Sequence, residues 1–235
     1  CLMISKDSGI LCGNFVAKEV FKKIDNTIKY EEKLQDGDCL QEGSIISEIY
    51  GNKNSILSAE RIALNFMQRM SGVATLTNEY VNLVDTISIS DTRKTIPGWR
   101  NLDKYSVICG GGFNHSRNLG DGVLIKDNHI SVSKSLSGLI KKAIKTKKII
   151  TVEIENINQL KQVLGLKFKR ILFDNMNSSQ LKKCIELCKN KYQTEYSGNA
   201  TLKNIKQISK TGIDRISVGA ITHSAKSFDS TLLFR

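Results

Sequence analysis

The sequence predicts a β/α barrel preceded by a small β-rich unit. Three observations carry this. From Thr86 onward, apolar runs alternate with helical patterns, and successive runs fall about 20–35 residues apart, the βαβ period. Five of these runs end on residues suited to gripping anions or metals: VLI-Lys126, TV-Glu153-I-Glu155, RILF-Asp174, TEY-Ser197-Gly198-Asn199 and RISV-Gly219-Ala220. An earlier run, TISIS, ends in Asp91-Thr92-Arg93-Lys94-Thr95. Chemistry gathered at strand C-termini is the mark of a β/α barrel, because the βα loops converge there. Thirdly, residues 1–57 read as short strands punctuated by turns at Asp36-Gly37, Glu42-Gly43 and Gly51-Asn52.

Element by element, the strand-rich start is followed by a long helix from Ser58, a plausible N-cap, to Val84. Ile62, Phe66, Met70, Val73, Thr77, Tyr80 and Val84 recur at helical spacing. Arg61, Asn65, Gln68 and Gly72 fall on another face, which suits either a functional surface or a solvated one. Strands are expected at 87–91, 122–126, 150–155, 170–173, 193–197 and 214–218, and helices at 134–146, 156–164, 178–190 and 201–211. The domains are then 1–84 and 85–221, with the tail 222–235 packing back on the first.

Length bounds this picture. A complete eight-unit barrel takes roughly 200–250 residues, so a second domain within 235 residues implies a reduced barrel. Lys and Arg total 35 against 23 Asp and Glu, but much of the excess is dispersed along helix faces, as at Lys141, Lys142, Lys145, Lys147 and Lys148. That disfavours a nucleic-acid binder, which groups its basic residues on one face with aromatics between. It leaves a solvated surface, with a few charges free to steer a highly anionic small substrate. Six cysteines without CxxC or zinc spacing fit a reducing cytoplasm. Cys184 and Cys188 share a helix face with Leu181 and read as core residues. No apolar run approaches a membrane span, and Lys6 and Asp7 argue against a signal peptide.

The polar strand ends differ in what they offer. Arg93 can hold a carboxylate or phosphate bidentately, and Lys94 supplies a compact charge. Gly110-Gly111-Gly112 allows close backbone approach ahead of Asn114-His115-Ser116-Arg117, without the pattern of a dinucleotide loop. Lys126 suits either a Schiff-base amine or a fixed cation for a carboxylate. Glu153 and Glu155 share one side of a strand by the period of two, and burying both requires cations or a metal. Asp174 ends the next strand, and carboxylates on adjacent strands suit Mg²⁺. Ser197-Gly198-Asn199 and Gly219-Ala220-Ile221-Thr222 expose backbone N–H groups where barrels commonly bind phosphate.

Ser58-Ala-Glu-Arg-Ile-Ala-Leu-Asn-Phe, Asp91-Thr-Arg-Lys-Thr-Ile-Pro-Gly, Gly110-Gly-Gly-Phe-Asn-His and Leu124-Ile-Lys-Asp-Asn-His-Ile resemble motifs of the quinolinate phosphoribosyltransferases. Val152-Glu-Ile-Glu-Asn, Phe173-Asp-Asn-Met, Tyr196-Ser-Gly-Asn and Ile216-Ser-Val-Gly-Ala-Ile-Thr-His follow in family order, so the resemblance covers nearly the whole chain. One motif departs. Ser116 stands where the family usually has arginine, and Arg117, one position later, is expected to reach the site by a local shift of the loop.

The resemblance implies an N-terminal α/β sandwich domain and an incomplete, seven-stranded β/α barrel. It also implies a homodimer with shared active sites, where Arg61 acts in the neighbouring subunit. The expected reaction joins quinolinate to 5-phosphoribosyl 1-pyrophosphate, giving nicotinate mononucleotide, pyrophosphate and carbon dioxide. Arg61, Thr92, Arg93, Lys94, His115, Ser116, Arg117 and Lys126 would hold the anionic substrates. Glu153 and Asp174 would lie near the ribose and Mg²⁺, and with Lys94 would be catalytic. Ser197, Gly198, Asn199, Ala220, Ile221 and Thr222 would cradle the 5-phosphate. The alternatives are a paralogous phosphoribosyltransferase acting on another heterocycle and a Schiff-base lyase using Lys126.

Overall fold

The structure is a computed structural model that describes residues 1–116, 120–126, 129, 135–188 and 191–235. Two compact units divide the chain: Cys1–Val81, Lys94–Gly112 and Ala220–Arg235 form the first, and Asn82–Arg93 with Phe113–Gly219 the second.

The first unit is built on an antiparallel sheet of order β12-β1-β5-β3, from β1 (Leu2–Ser5), β3 (Lys29–Glu32), β5 (Ile45–Tyr50) and β12 (Ser230–Leu233). A separate pair joins β2 (Gly9–Ile10) and β4 (Cys39–Leu40). Helix α1 (Asn14–Ile24) occupies a stretch that the sequence reading gave to strands. Its buried residues Asn14, Ala17 and Phe21 follow helical spacing, and Asp36 caps it by accepting from the backbone N–H groups of Gly13 and Asn14 at 2.9 Å.

Helix α2 runs Lys53–Asn82, five residues earlier than expected at its start. Asn52, not Ser58, satisfies the first turn: its side chain accepts from Asn54 N at 2.9 Å, while Ser58 Oγ donates to Asn54 O at 2.8 Å inside the helix. The buried apolar residues of α2 are Ile56, Ala59, Ala63, Leu64, Met67, Met70, Val73, Ala74 and Tyr80, with Thr77 beside them, so the expected Met70, Val73, Thr77 and Tyr80 are buried while Ile62 is exposed. In its first half small alanines, Ala59 and Ala63, take core positions beside Ile56 and Met67. At Gly72 a Cβ would run into the carbonyl oxygen of Lys226. Around it Phe228 N donates to Gln68 O at 2.9 Å and Gln68 Nε2 to Ser230 O at 2.9 Å. Gln68 and Gly72 are therefore covered by the tail, whereas Arg61 and Asn65 are exposed. Helix α3 (Arg100–Cys109), which the sequence reading did not assign, also belongs to this unit.

The second unit is a six-stranded parallel sheet of order β6-β11-β10-β9-β8-β7. Its strands are β6 (Ser88–Ser90), β7 (Val123–Ile125), β8 (Ile150–Ile154), β9 (Arg170–Asp174), β10 (Gln193–Ser197) and β11 (Arg215–Ser217). Helices α4 (Leu136–Ile144), α5 (Ile157–Val163), α6 (Ser178–Cys188) and α7 (Ile205–Ser209) alternate with them. Ser135 and Asn156 cap α4 and α5, accepting from Gly138 N at 3.2 Å and Gln159 N at 3.0 Å. These strands lie within one or two residues of their expected bounds.

Register separates two kinds of face. Ile89, Ile125, Ile150, Val152, Ile154, Ile171, Phe173, Tyr196 and Ile216 share one side and are all buried. Each contributes about 1.5–3 kcal/mol if fully buried on folding. By the period of two, the other side carries Thr151, Glu153, Arg170, Leu172, Asp174, Glu195, Ser197, Arg215, Ser217 and Ser90. One face therefore builds the hydrophobic layer against the helices, and the other collects nearly every polar strand residue.

Candidate active site

Two ion-pair systems stand on the polar face of the second unit. At its edge, Lys126 Nζ lies 3.5 Å from Glu153 Oε2. Lys126 follows β7 directly, so the Ile125↔Val152 pairing sets it opposite Glu153. Glu153 is buried and Lys126 half-exposed, leaving the ammonium able to meet an incoming anion. The backbone around it is tied locally: Lys126 N donates to His129 Nδ1 at 3.1 Å. Glu155 does not share the burial of Glu153. It lies just past the end of β8 and is exposed, so the expected pair of buried carboxylates is one.

Deeper in the sheet, Glu195 is fully buried with three partners. His115 Nε2 lies 3.3 Å from Oε1, the Ser217 hydroxyl donates to the same oxygen, and Arg170 Nη1 lies 3.3 Å from Oε2. Burial pushes this carboxyl up, but the hydrogen bond and charge of His115, the Ser217 hydroxyl and the Arg170 guanidinium more than reverse it. The carboxyl ends below its ordinary value. His115 Nδ1 accepts from Ser116 N at 2.7 Å, which leaves Nε2 to carry the ring proton toward Glu195. The His115 backbone N–H in turn donates to Asp91 Oδ1 at 2.6 Å, and Asp91 is fully buried. His115 is thus held at backbone and ring by two buried carboxylates.

Arg93, His115, Ser116, Lys126, Thr151 and Arg170 line one cavity of about 360 Å³ in this unit. Four of these are residues singled out from the sequence. Arg93 is exposed and Thr92 half-buried. A larger recess of about 590 Å³ opens at the N-terminal strand ends beside Ser88, Lys169, Lys191 and Arg215. The smaller cavity reaches from the strand starts at Gly122, Ile149 and Arg170 to Lys126 beyond β7, and it is the one that Arg93, His115, Ser116 and Lys126 share, so it is the candidate site.

Beyond β9 and β10 the backbone is unusual. Asn175, Gly198 and Asn199 have φ of 53°, 97° and 44°. Asn175 Oδ1 accepts from Asn199 Nδ2 at 3.1 Å, and a Cβ on Gly198 would collide with that same oxygen. Asn175 Nδ2 donates to Asp174 Oδ2 at 3.0 Å, and Asn175 N to Ser197 O at 2.9 Å. Left-handed residues clustered at two neighbouring strand ends are the kind of strain that functional sites hold. Ser197 and Asp174 are paired directly in register.

In the first unit, Thr222 Oγ1 donates to Lys94 O at 2.9 Å, so two expected substrate-binding residues are brought together there. Thr222 lies in the short helix α8 (Ala220–His223) with Ala220 and Ile221. Arg69, which the sequence reading did not single out, donates to the Thr222 carbonyl and pairs with the buried Asp103 at 3.1 Å. Asp103 Oδ2 accepts from Ile96 N at 3.3 Å, tying down the turn after Lys94. Arg117 and its expected role lie outside the described residues.

The matching family profiles are "Quinolinate phosphoribosyl transferase, N-terminal domain" over residues 2–71 and "Quinolinate phosphoribosyl transferase, C-terminal domain" over residues 73–233. The chain belongs to the quinolinate phosphoribosyltransferase family. Among quinolinate phosphoribosyltransferase relatives, "Quinolinate phosphoribosyltransferase [decarboxylating] 2b, mitochondrial" of Nicotiana tabacum is 40% identical over 250 residues. That alignment covers 97% of this chain and 71% of the tobacco protein. "Probable nicotinate-nucleotide pyrophosphorylase [carboxylating]" of Bacillus subtilis is 40% identical, over 98% of this chain and 81% of its own. The solved nicotinate-nucleotide pyrophosphorylase from Francisella tularensis superposes with a TM-score of 0.95 at 39% identity, covering 98% of this chain and 84% of that one.

Sequence reasoning missed Glu195, Arg170, Ser217 and Ser90. The signal was present for Glu195, two residues before Ser197 on one strand and so on its face. Arg170 stands in the same way at even spacing from Asp174.

Proposed function

We propose that this chain joins quinolinate to 5-phosphoribosyl 1-pyrophosphate and releases pyrophosphate, carbon dioxide and nicotinate mononucleotide, a step that supplies NAD. Family membership supports the reading, and the observation that carries it is the cavity lined by Arg93, His115, Ser116 and Lys126, with Lys126 held beside Glu153 at 3.5 Å. Quinolinate is a dianion, and a site combining a guanidinium with an ammonium suits it. Lys126 acts as a counter-charge, since its ammonium faces a carboxylate. This favours the fixed cation over a Schiff-base amine.

Glu153 and Asp174 offer hard carboxylate oxygens on one face of the sheet, a donor set that fits Mg²⁺ completed by substrate phosphates. Bound there with Lys94, the ion would neutralise charge on the departing pyrophosphate. As that group leaves, the ribose C1 becomes cation-like, and Glu153 and Asp174 stabilise it electrostatically. The pyridine nitrogen attacks C1, and the positive nitrogen then takes up the electron pair left when the neighbouring carboxylate departs as carbon dioxide. Ser197, Gly198 and Asn199 cradle the 5-phosphate, with Ala220, Ile221 and Thr222 as further candidates. Thr92 and Arg117 join the substrate-binding set.

The architecture we infer is an incomplete seven-stranded barrel with an α/β sandwich. A parallel bridge between Ser90 and Phe113 supports a rudimentary seventh strand beside β6. The four-stranded sheet with α1 and α2 supports the sandwich. We also infer a homodimer with shared sites, supported by Arg61 lying exposed on α2. Six free cysteines support a reducing compartment such as the cytoplasm. No helix among the described residues is long and apolar enough to cross a membrane.

The decisive experiment measures labelled carbon dioxide released from carboxyl-labelled quinolinate, with and without the phosphoribosyl donor and Mg²⁺. Release is expected only with all three present. Release without the donor refutes the proposed order of events, and no release under any condition refutes the activity.

A further inference from the structure

We propose that Cys12, Asp36 and Cys109 form a binding site for a thiophilic divalent cation, with zinc the ion they suit best. The sulfurs of Cys12 and Cys109 and a carboxylate oxygen of Asp36 all lie within 4.8 Å of one another. Zinc holds thiolate sulfur at about 2.3 Å and carboxylate oxygen at about 2.0–2.2 Å, so neighbouring ligands in a tetrahedral site sit about 3.5–3.8 Å apart. Side-chain shifts of about an ångström or less would close the trio on an ion. The spacing in sequence gives no hint of this, because the three residues come from separate segments of the first unit.

Each ligand is held by its surroundings. Cys12 precedes α1, with its backbone N–H donating to Ser71 Oγ at 2.9 Å and its carbonyl accepting from the same hydroxyl at 3.0 Å. Cys12 Sγ lies 3.4 Å from Ser106 Oγ. Asp36 spends one lone pair of each oxygen on the N-terminus of α1, and Tyr105 Oη donates to its Oδ2 at 3.1 Å. Both lone pairs of Oδ2 are then taken, and Oδ1 keeps a further one for an ion. Ser106 and Tyr105 thus act as an outer layer that orients the ligands, as around known metal sites. Cys109 is the last residue of α3 and, like Asp36, only half-buried, which leaves an approach for the ion and a fourth position for water.

The plainer reading makes Asp36 a helix cap and the cysteines part of the apolar cluster with Ile10, Met70 and Ala74. Capping α1 explains the carboxylate but not its company. Two thiols beside a carboxylate are an unfavourable grouping once any thiol ionises, and a favourable one when a divalent cation takes up the charge. Soft sulfur with one hard oxygen selects zinc over magnesium or calcium.

The test uses the full chain with Cys1→Ser and Cys39→Ser, which removes other accessible thiols. The protein is reduced, stripped with a chelator and titrated with Cd²⁺ and Co²⁺. One ion per chain is expected, with a thiolate-to-metal charge-transfer band and a raised Tm. Cys109→Ser should abolish the band and the Tm shift; because Cys109 is half-buried, this variant keeps the test open if Cys12→Ser does not fold. Tyr105→Phe should weaken binding by about 10–100-fold. Absence of the band in the reduced chain overturns the proposal, as does a band that survives Cys109→Ser. A Cys12–Cys109 disulfide found by mass spectrometry, in a chain that binds no Cd²⁺ after reduction, overturns it in favour of a redox pair.

Discussion

His115, which lines the same cavity as Lys126 and Arg93, is joined to the buried Glu195 by a contact of 3.3 Å between Nε2 and Oε1. Glu195 in turn holds Arg170 at 3.3 Å on its other oxygen. The orientation of a residue at the candidate site therefore depends on a carboxylate that the substrate need not touch.

Replacing Glu195 should show this in stability. Removing one partner of a buried ion pair costs about 3–5 kcal/mol, so Glu195→Leu should lower the unfolding free energy by that order in urea titrations. A loss under about 1 kcal/mol would mean that Arg170 and His115 find other partners.

Acid dependence has a definite sign. The folded Glu195 carboxyl titrates below its ordinary value, so its stabilising contribution is complete above the unfolded value of about 4.3 and is lost as pH falls through the folded one. Glu195→Gln removes that proton uptake. Its unfolding free energy should decline less steeply than wild type as pH falls below about 5. Parallel acid limbs for the two proteins would contradict the assignment.

Lys126→Met keeps the stem of the side chain and removes its charge. Loss of a charged partner in a buried site costs about 2–5 kcal/mol, and because Lys126 is half-exposed the low end applies, read as a fall in quinolinate affinity of about 30-fold. Unchanged affinity by calorimetry would refute the counter-charge role.

Gly72→Ala should loosen the C-terminal tail, because its Cβ would meet the Lys226 carbonyl, a backbone atom with little freedom to move. We expect faster amide exchange across Ser230–Leu233 and a lowered Tm. Wild-type exchange in that strand would show that the tail shifts without cost.

Arg61→Ala and Lys126→Ala should each be nearly inactive alone. Mixed and reassembled, they should recover roughly a quarter of wild-type activity, because about half the dimers are mixed and each has one intact site. No recovery despite demonstrated subunit exchange would mean that Arg61 serves its own chain.

Much of the parallel sheet was legible because each apolar strand is bounded by a polar terminus: Lys126, Asp174 and Ser197 all sit where the reading put them. Helix α1 was not read, although Asn14, Ala17 and Phe21 carry its period, because the turn residues on either side suggested strands. The stripe on α2 was read correctly from Met70 through Val73, Thr77 and Tyr80, and misread only in its first half, where Ala59 and Ala63 weigh little in a hydrophobicity count and Ile62 is exposed. Glu195 and Arg170 were passed over for a different reason. A charge inside an apolar run looks like an interruption until register shows that it has partners on neighbouring strands. The trio of Cys12, Asp36 and Cys109 could not be read at all, because proximity in the fold created it.

The pairing of β1 with β12 also governs how the chain can fold. Asp229 N donates to Asp7 Oδ2 across 222 positions, and Leu2 stands opposite Leu233. Contacts of such long sequence separation form slowly, since loop closure must precede any gain from pairing. During synthesis β1 waits with an unpaired edge until residues 230–233 have emerged, a period in which it can pair wrongly. The same adjacency of Leu2 and Leu233 would let the span 2–233 by itself be circularly permuted: a short linker could join these two residues, and the span be opened at Gly165, an exposed turn whose φ is 91°. Such a permutant would make β12 and β1 neighbours in sequence and should fold faster than the same span in its unpermuted order.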